Sequence, residues 1–82
     1  MRLEKTRQAL DAKKVKYSYT EEDGCASLDF LWRGLTYRVW EFADPEPGAE
    51  TNVFHCGRSE DITGDYDAVI AQEILTWPDM IM

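Results

Sequence analysis

His55 and Cys56 stand side by side, and a histidine next to a thiol could form a nucleophile and its base or half of a metal site. Strand neighbours, however, point to opposite faces. A zinc site would need two further ligands, and Cys25 is the one soft donor left in the sequence. Asp61, Asp65 and Asp67 fall at relative positions 1, 5 and 7 of a calcium loop. Position 3 of that loop is Thr63, position 6 is Tyr66 where glycine is needed, and position 12 is Gln72 where a bidentate acid is needed. The pattern therefore predicts neither a metal centre nor a cofactor, and helix capping accounts for Asp65 and Asp67. No phosphate-cradling glycine loop, nucleophile–base pair or aromatic RNA-binding pattern is present, so the chain does not read as an enzyme.

These residues must be positioned by elements, and the most legible is a three-stranded meander over Val15 to Phe42. Its turns are Asp23-Gly24 and Arg33-Gly34, where glycine supplies the positive φ of two-residue hairpin loops. Paired residue numbers then sum to 47 across the first turn and 67 across the second. One face collects Val15, Trp32 and Leu35; Tyr17, Phe30 and Tyr37; and Tyr19, Leu28 and Val39, all apolar or aromatic. The other collects Lys16, Leu31 and Thr36; Ser18, Asp29 and Arg38; Thr20, Ser27 and Trp40; and Glu22, Cys25 and Phe42. A one-residue slip would scramble both faces. In this register Asp29 and Arg38 oppose one another and are expected to form a cross-strand ion pair. Glu41 falls on the apolar face beside Ala26 and Glu21 and is expected to reach water at the rim.

Helix-forming residues run from Arg2 to Lys14, with Leu3, Thr6 and Leu10 on a narrow stripe whose basic flanks snorkel over the core edge. Ala43–Glu50, with two prolines, a glycine and three acids, reads as an acidic loop. Thr51–Cys56 reads as a short fourth strand and Gly57–Gly64 as a polar loop in which Ile62 returns to the core. Tyr66, Val69, Ile70, Ile74 and Trp77 form an apolar stripe at helical spacing, with Asp65 as cap, Asp67 complementing the helix dipole and Pro78 as terminator; Met80 and Ile81 are available to pack beyond it. The expected fold is a single domain over residues 1–82, two-layer α+β. An antiparallel meander of three to four strands carries both helices on one face, in the order α-β-β-β-β-α.

Net charge is −7, but the two ends differ. Residues 1–16 hold six basic groups against two acids, a net +4, and residues 17–82 hold three arginines against fourteen acids, a net −11. An acidic field disfavours direct nucleic-acid and anionic-membrane binding and favours a basic partner. Two cysteines and no apolar leader after Met1 predict a cytoplasmic protein with free thiols. No run is apolar enough to span a membrane. A domain this small gains readily from forming a homodimer.

The strings Trp40-Glu41-Phe42, Asp44-Pro45-Glu46, Gly48-Ala49-Glu50-Thr51-Asn52-Val53, Gly57-Arg58-Ser59-Glu60-Asp61-Ile62 and Gly64-Asp65-Tyr66 resemble a family of small uncharacterised bacterial proteins of Gram-positive genomes and mobile elements. The resemblance spans most of the chain and implies no catalytic residue. The order of elements is similar to secretion-chaperone-like and YbjN-like folds, which implies a small sheet with flanking helices used for protein binding. It directs attention to Glu50, Thr51, Asn52 and Gly57–Asp61, with Arg58 expected to tie the two loops together.

The surface expected to act is the mixed sheet face. Leu31, Trp40 and Phe42 lie there, rimmed by Asp44, Glu46, Glu50, Arg58, Glu60 and Asp61, as a docking site for a basic protein partner. A second reading is a mobile-element inhibitor whose acids imitate nucleic acid on a basic groove. A third is a small-ligand protein or enzyme using Arg58, Glu60 and His55.

Overall fold

The computed structural model describes residues 2–44, 46–55 and 58–78. The elements are α1 (Glu4–Ala12), β1 (Tyr17–Glu22), β2 (Cys25–Trp32), β3 (Leu35–Phe42), β4 (Gly48–His55), β5 (Arg58–Thr63) and α2 (Tyr66–Leu75). The strands form one antiparallel sheet in the order β1-β2-β3-β4-β5. The architecture is the two-layer α+β arrangement read from the sequence, with the meander carried one strand further.

Both hairpins adopt the computed register: Tyr17 pairs with Phe30 and Tyr19 with Leu28, while Phe30 pairs with Tyr37 and Leu28 with Val39. Asp23 and Gly24 (φ 53 and 77), like Arg33 and Gly34 (φ 55 and 80), have consecutive positive φ values, the signature of type I′ turns. Two of the nine residues assigned to the buried face differ from their expected places, one in pairing and one in burial. Val15 is buried but precedes β1, its N–H bonded to the Leu10 carbonyl at 2.9 Å. Leu35, the first residue of β3 beside the turn, is exposed.

The acidic loop is shorter than read from the sequence, because β4 begins at Gly48 and not Thr51. Gly48 is the reason a strand can start there. A Cβ at this position would meet the Ile62 carbonyl oxygen at 2.6 Å and the Phe42 ring at 2.7 Å, so the phenyl ring lies in the space a side chain would fill. The polar segment expected to be a loop is β5, paired to β4 through Ala49–Ile62 and Thr51–Glu60. Its polarity reflects an edge strand with one wet face, where Ile62 alone packs against the core.

The core joins Leu3, Leu10, Leu28, Val39, Ile70 and Ile74, so both helices cover the Leu28 face of the sheet. In α2 the buried residues are Tyr66, Ile70, Ala71 and Ile74. Val69, placed on the stripe by its spacing, is exposed, because the helix is rotated to set Ala71 inward against its neighbour. Trp77, past the helix end, stacks on Trp32 at 4.3 Å between centroids and lies 5.0 Å from Tyr37. Residues 79–82, with Met80 and Ile81, lie outside the described residues, as do Cys56 and the side chain of His55.

Candidate functional site

Two regions concentrate chemistry, on opposite faces of the sheet. The first lies where the helices begin. Glu41 does not reach water as its rim position suggested: its side chain is 3% exposed, and Oε1 accepts Arg2 Nε at 2.5 Å and the Ala26 N–H at 2.8 Å. Oε2 accepts the Tyr66 hydroxyl. Desolvation alone would push the Glu41 carboxyl up, but the bonds from Arg2, Tyr66 and Ala26 outweigh it and hold the group below the usual carboxylate range. Tyr66 shifts upward, through burial and through its bond to Glu41. The sequence offered no convergent partner for Glu41, because Arg2 and Tyr66 lie at opposite ends of the chain.

An open cavity of about 350 Å³ adjoins this cluster, bordered by Arg2, Glu41, Asp65, Tyr66 and Asp67. It lies at two helix N-termini, which ordinarily attract anions. Here a carboxylate of the protein itself, Asp67, holds the first donors of α1. The Asp65 side chain makes no capping bond, contrary to its expected role. Asp67 is the acidic residue in the first turn of α2, as expected, and it also caps α1: its carboxylate accepts the Lys5 and Thr6 N–H groups, each at 2.9 Å, and the Thr6 hydroxyl at 2.7 Å. Arg2, Glu41 and Tyr66 thus form a network that fastens the N-terminus to β2, β3 and α2, and Asp67 adds a separate link between the two helices. Its role is structural.

The second region is the helix-free face. One row crosses all five strands: Thr20, Ser27, Trp40, Glu50 and Asp61, paired in that order. Trp40 is 42% exposed and Leu31 60%, while Phe42 is half-buried over Gly48. Asp44 and Glu46 are exposed in the adjoining loop. Glu50 and Asp61 oppose one another directly, an arrangement of like charges that works against pairing.

The expected Asp29–Arg38 ion pair does not form, although the two residues are opposite one another. Arg38 lies over Trp40 at 5.0 Å and donates from Nη2 to Ser59 Oγ at 2.7 Å, because β5 brings a hydroxyl and β3 an aromatic face within its reach. Ser59 and Asp61 belong to the Trp40 face. By strand alternation Glu60 and Arg58 belong to the helix side, since Glu60 pairs with buried Thr51. The nine residues grouped from the sequence are therefore divided between two faces. Arg58 pairs with His55 at the end of β4 and is exposed, and among the described residues it makes no tie between the two segments.

The tie between β3 and β4 comes instead from Thr51 and Asn52. Backbone pairing of these strands ends at Val39–Thr51. Beyond it Asn52 Oδ1 accepts the Arg38 N–H at 2.9 Å, Asn52 Nδ2 donates to the Thr36 carbonyl at 3.1 Å, and the Thr51 hydroxyl donates to the Arg38 carbonyl at 2.7 Å. Side chains replace ladder bonds where β4 also shifts register against β5.

Among the described residues no group of three or more His, Cys, Asp and Glu side chains could hold a metal ion, and no helix is long and apolar enough to cross a membrane. Comparison with family models, curated proteins and solved structures gives no match to the chain.

Proposed function

We propose that this chain is a protein-interaction module whose helix-free sheet face docks a basic protein surface in the cytoplasm. The observation that carries the reading is the row Trp40–Glu50–Asp61: an exposed indole next to two opposed carboxylates on a face no described element covers. Exposed aromatics anchor interfaces by desolvation, and a cation from a partner would relieve the Glu50–Asp61 repulsion. Arg38 holds the indole from beside it, which lowers the entropy lost on binding. The free thiol of Cys25 suits a reducing compartment.

The acidic row also supports the inhibitor reading, in which the basic surface is a nucleic-acid groove. One experiment addresses both. Tagged wild type, Trp40→Ala and the Glu50→Lys/Asp61→Lys double variant are used to capture partners from native host extract, quantified by mass spectrometry. A partner held by wild type and reduced at least about tenfold by both variants is expected. A nucleic-acid enzyme whose capture falls steeply with salt identifies the inhibitor. Equal capture by all three proteins overturns the docking face.

A further inference from the structure

An open sheet has two edges, here β1 and β5, and an unpaired edge is a template for another strand. The two edges differ in the order of their charges. β5 has Glu60 and Asp61 at its middle. β1 is uncharged from Tyr17 to Thr20, preceded by exposed Lys14 and Lys16 and followed by exposed Glu21, Glu22 and Asp23. Such a strand is complementary to its own reverse.

Symmetry narrows the register. Two copies joined edge to edge in a closed antiparallel pair are related by a two-fold axis perpendicular to the sheet. That axis keeps both helix layers on one side, so facing residues must share a face and their numbers must both be odd or both even. The turn adds a second condition. In a type I′ hairpin the residues flanking the loop, Glu22 and Cys25, form a hydrogen-bonded pair. Even-numbered residues of β1 therefore bond to β2, while Tyr17, Tyr19 and Glu21 turn their N–H and C=O groups outward. A register with Tyr19 facing Tyr19 of the second copy meets both conditions and sets Lys16 against Glu22 at each end. On the helix side, Arg7, whose guanidinium lies 5.2 Å from the Tyr19 ring, stands diagonal to Glu21 of the second copy. The same symmetry centred on β5 would set Glu60 or Asp61 against itself, and that edge repels its own copy.

We propose that β1 docks antiparallel on β1 of a second copy of this chain, with Tyr19 at the axis and Lys16–Glu22 pairs at both ends. The two sheets become one, and their uncovered faces become continuous. Five interstrand spacings separate the two Trp40 rows, about 24 Å, so the dimer presents two docking rows side by side. The pairing stands independently of what those rows bind.

Light scattering across a concentration series of the full chain tests the pairing. Wild type is expected to reach twice the 9.5 kDa chain mass. Lys16→Glu and Glu22→Lys alone each weaken dimerisation about tenfold, and the double exchange Lys16→Glu/Glu22→Lys restores it. Amide exchange in wild type gives a reading that needs no variant. The Tyr19 and Glu21 N–H groups slow as concentration rises, whereas those of Ser18 and Thr20 are slow throughout. A wild type monomeric at millimolar concentration, a dimer equally strong in both single variants, or Tyr19 exchange independent of concentration overturns the proposal.

Discussion

The carboxylate of Asp67 caps the helix that contains Thr6, although the two residues stand 61 positions apart in sequence. The residue that precedes α1, Leu3, is left-handed (φ 52) and its side chain has no acceptor, so the first N–H groups of the helix depend on α2. At the far end Lys13 Nζ donates to the Trp77 carbonyl at 2.6 Å and closes the end of α2. The helices therefore lie parallel, with like dipole ends together, and each supplies the charge that neutralises an end of the other.

Removing the Asp67 cap should destabilise the whole domain, because the same carboxylate joins the two helices. Asp67→Ala is expected to cost about 2 kcal/mol in urea unfolding, lowering Tm by roughly 10 °C. Thr6→Ala should cost less, and the two losses should be non-additive in a double-mutant cycle. Additive losses would show that the carboxylate acts on α2 alone.

Glu41 should set the acid limit of stability. Its folded-state carboxyl lies below the ordinary range, so its contribution is complete above the unfolded value near 4.5 and is lost as pH falls through the folded value. Glu41→Gln should lower stability at neutral pH by about 2 kcal/mol and flatten the decline below pH 4.5. Tyr66 carries the opposite sign: its folded-state value is raised, so its contribution is complete below 10 and is lost as pH rises above that. Tyr66→Phe should remove part of the alkaline decline. Urea midpoints measured across the pH range for the three proteins check both slopes.

The meander was legible because its information is local: two I′ turns and alternation fix every pairing from Tyr17 to Phe42. The exposure of Leu31 and Trp40 follows from that register once the helices take the other face. β5 was not legible, since an edge strand of Arg58, Ser59, Glu60, Asp61, Ile62 and Thr63 has one apolar residue and no period to detect. Glu41 was placed on the correct face and given the wrong fate. Its partners Arg2 and Tyr66 come from the chain's two terminal regions, and no spacing rule joins residues across 39 positions. The surprise of Asn52 has the same origin, because a side chain that substitutes for ladder bonds reads as a polar residue in a strand.

Gly48→Ala should loosen β5 selectively. The added methyl would meet the Ile62 carbonyl on one side and the Phe42 ring on the other, and the backbone contact cannot be relieved by a rotamer change. A loss of about 1–3 kcal/mol is expected. Hydrogen exchange should quicken in Arg58–Thr63 before β1 and β2 are affected. Adding Phe42→Ala should recover little, since it leaves the backbone contact in place and removes the ring that covers the glycine.

The tryptophans separate fold from function. Trp77 stacks on Trp32, 4.3 Å away, and lies 6.1 Å from Phe30, bridging the end of α2 to the sheet. Trp77→Ala should cost about 3 kcal/mol and alter the near-ultraviolet circular dichroism, because it breaks a coupled aromatic stack. Trp40 touches Arg38 on an open face, and Trp40→Ala should change stability by less than about 1 kcal/mol. If thermal melts gave the two variants equal losses, Trp40 would be a packing residue and the row it shares with Glu50 and Asp61 would have no anchor to offer a partner. If only Trp77→Ala melts early, Trp40 stands at a position where folding does not need it, and any loss of capture in Trp40→Ala belongs to binding.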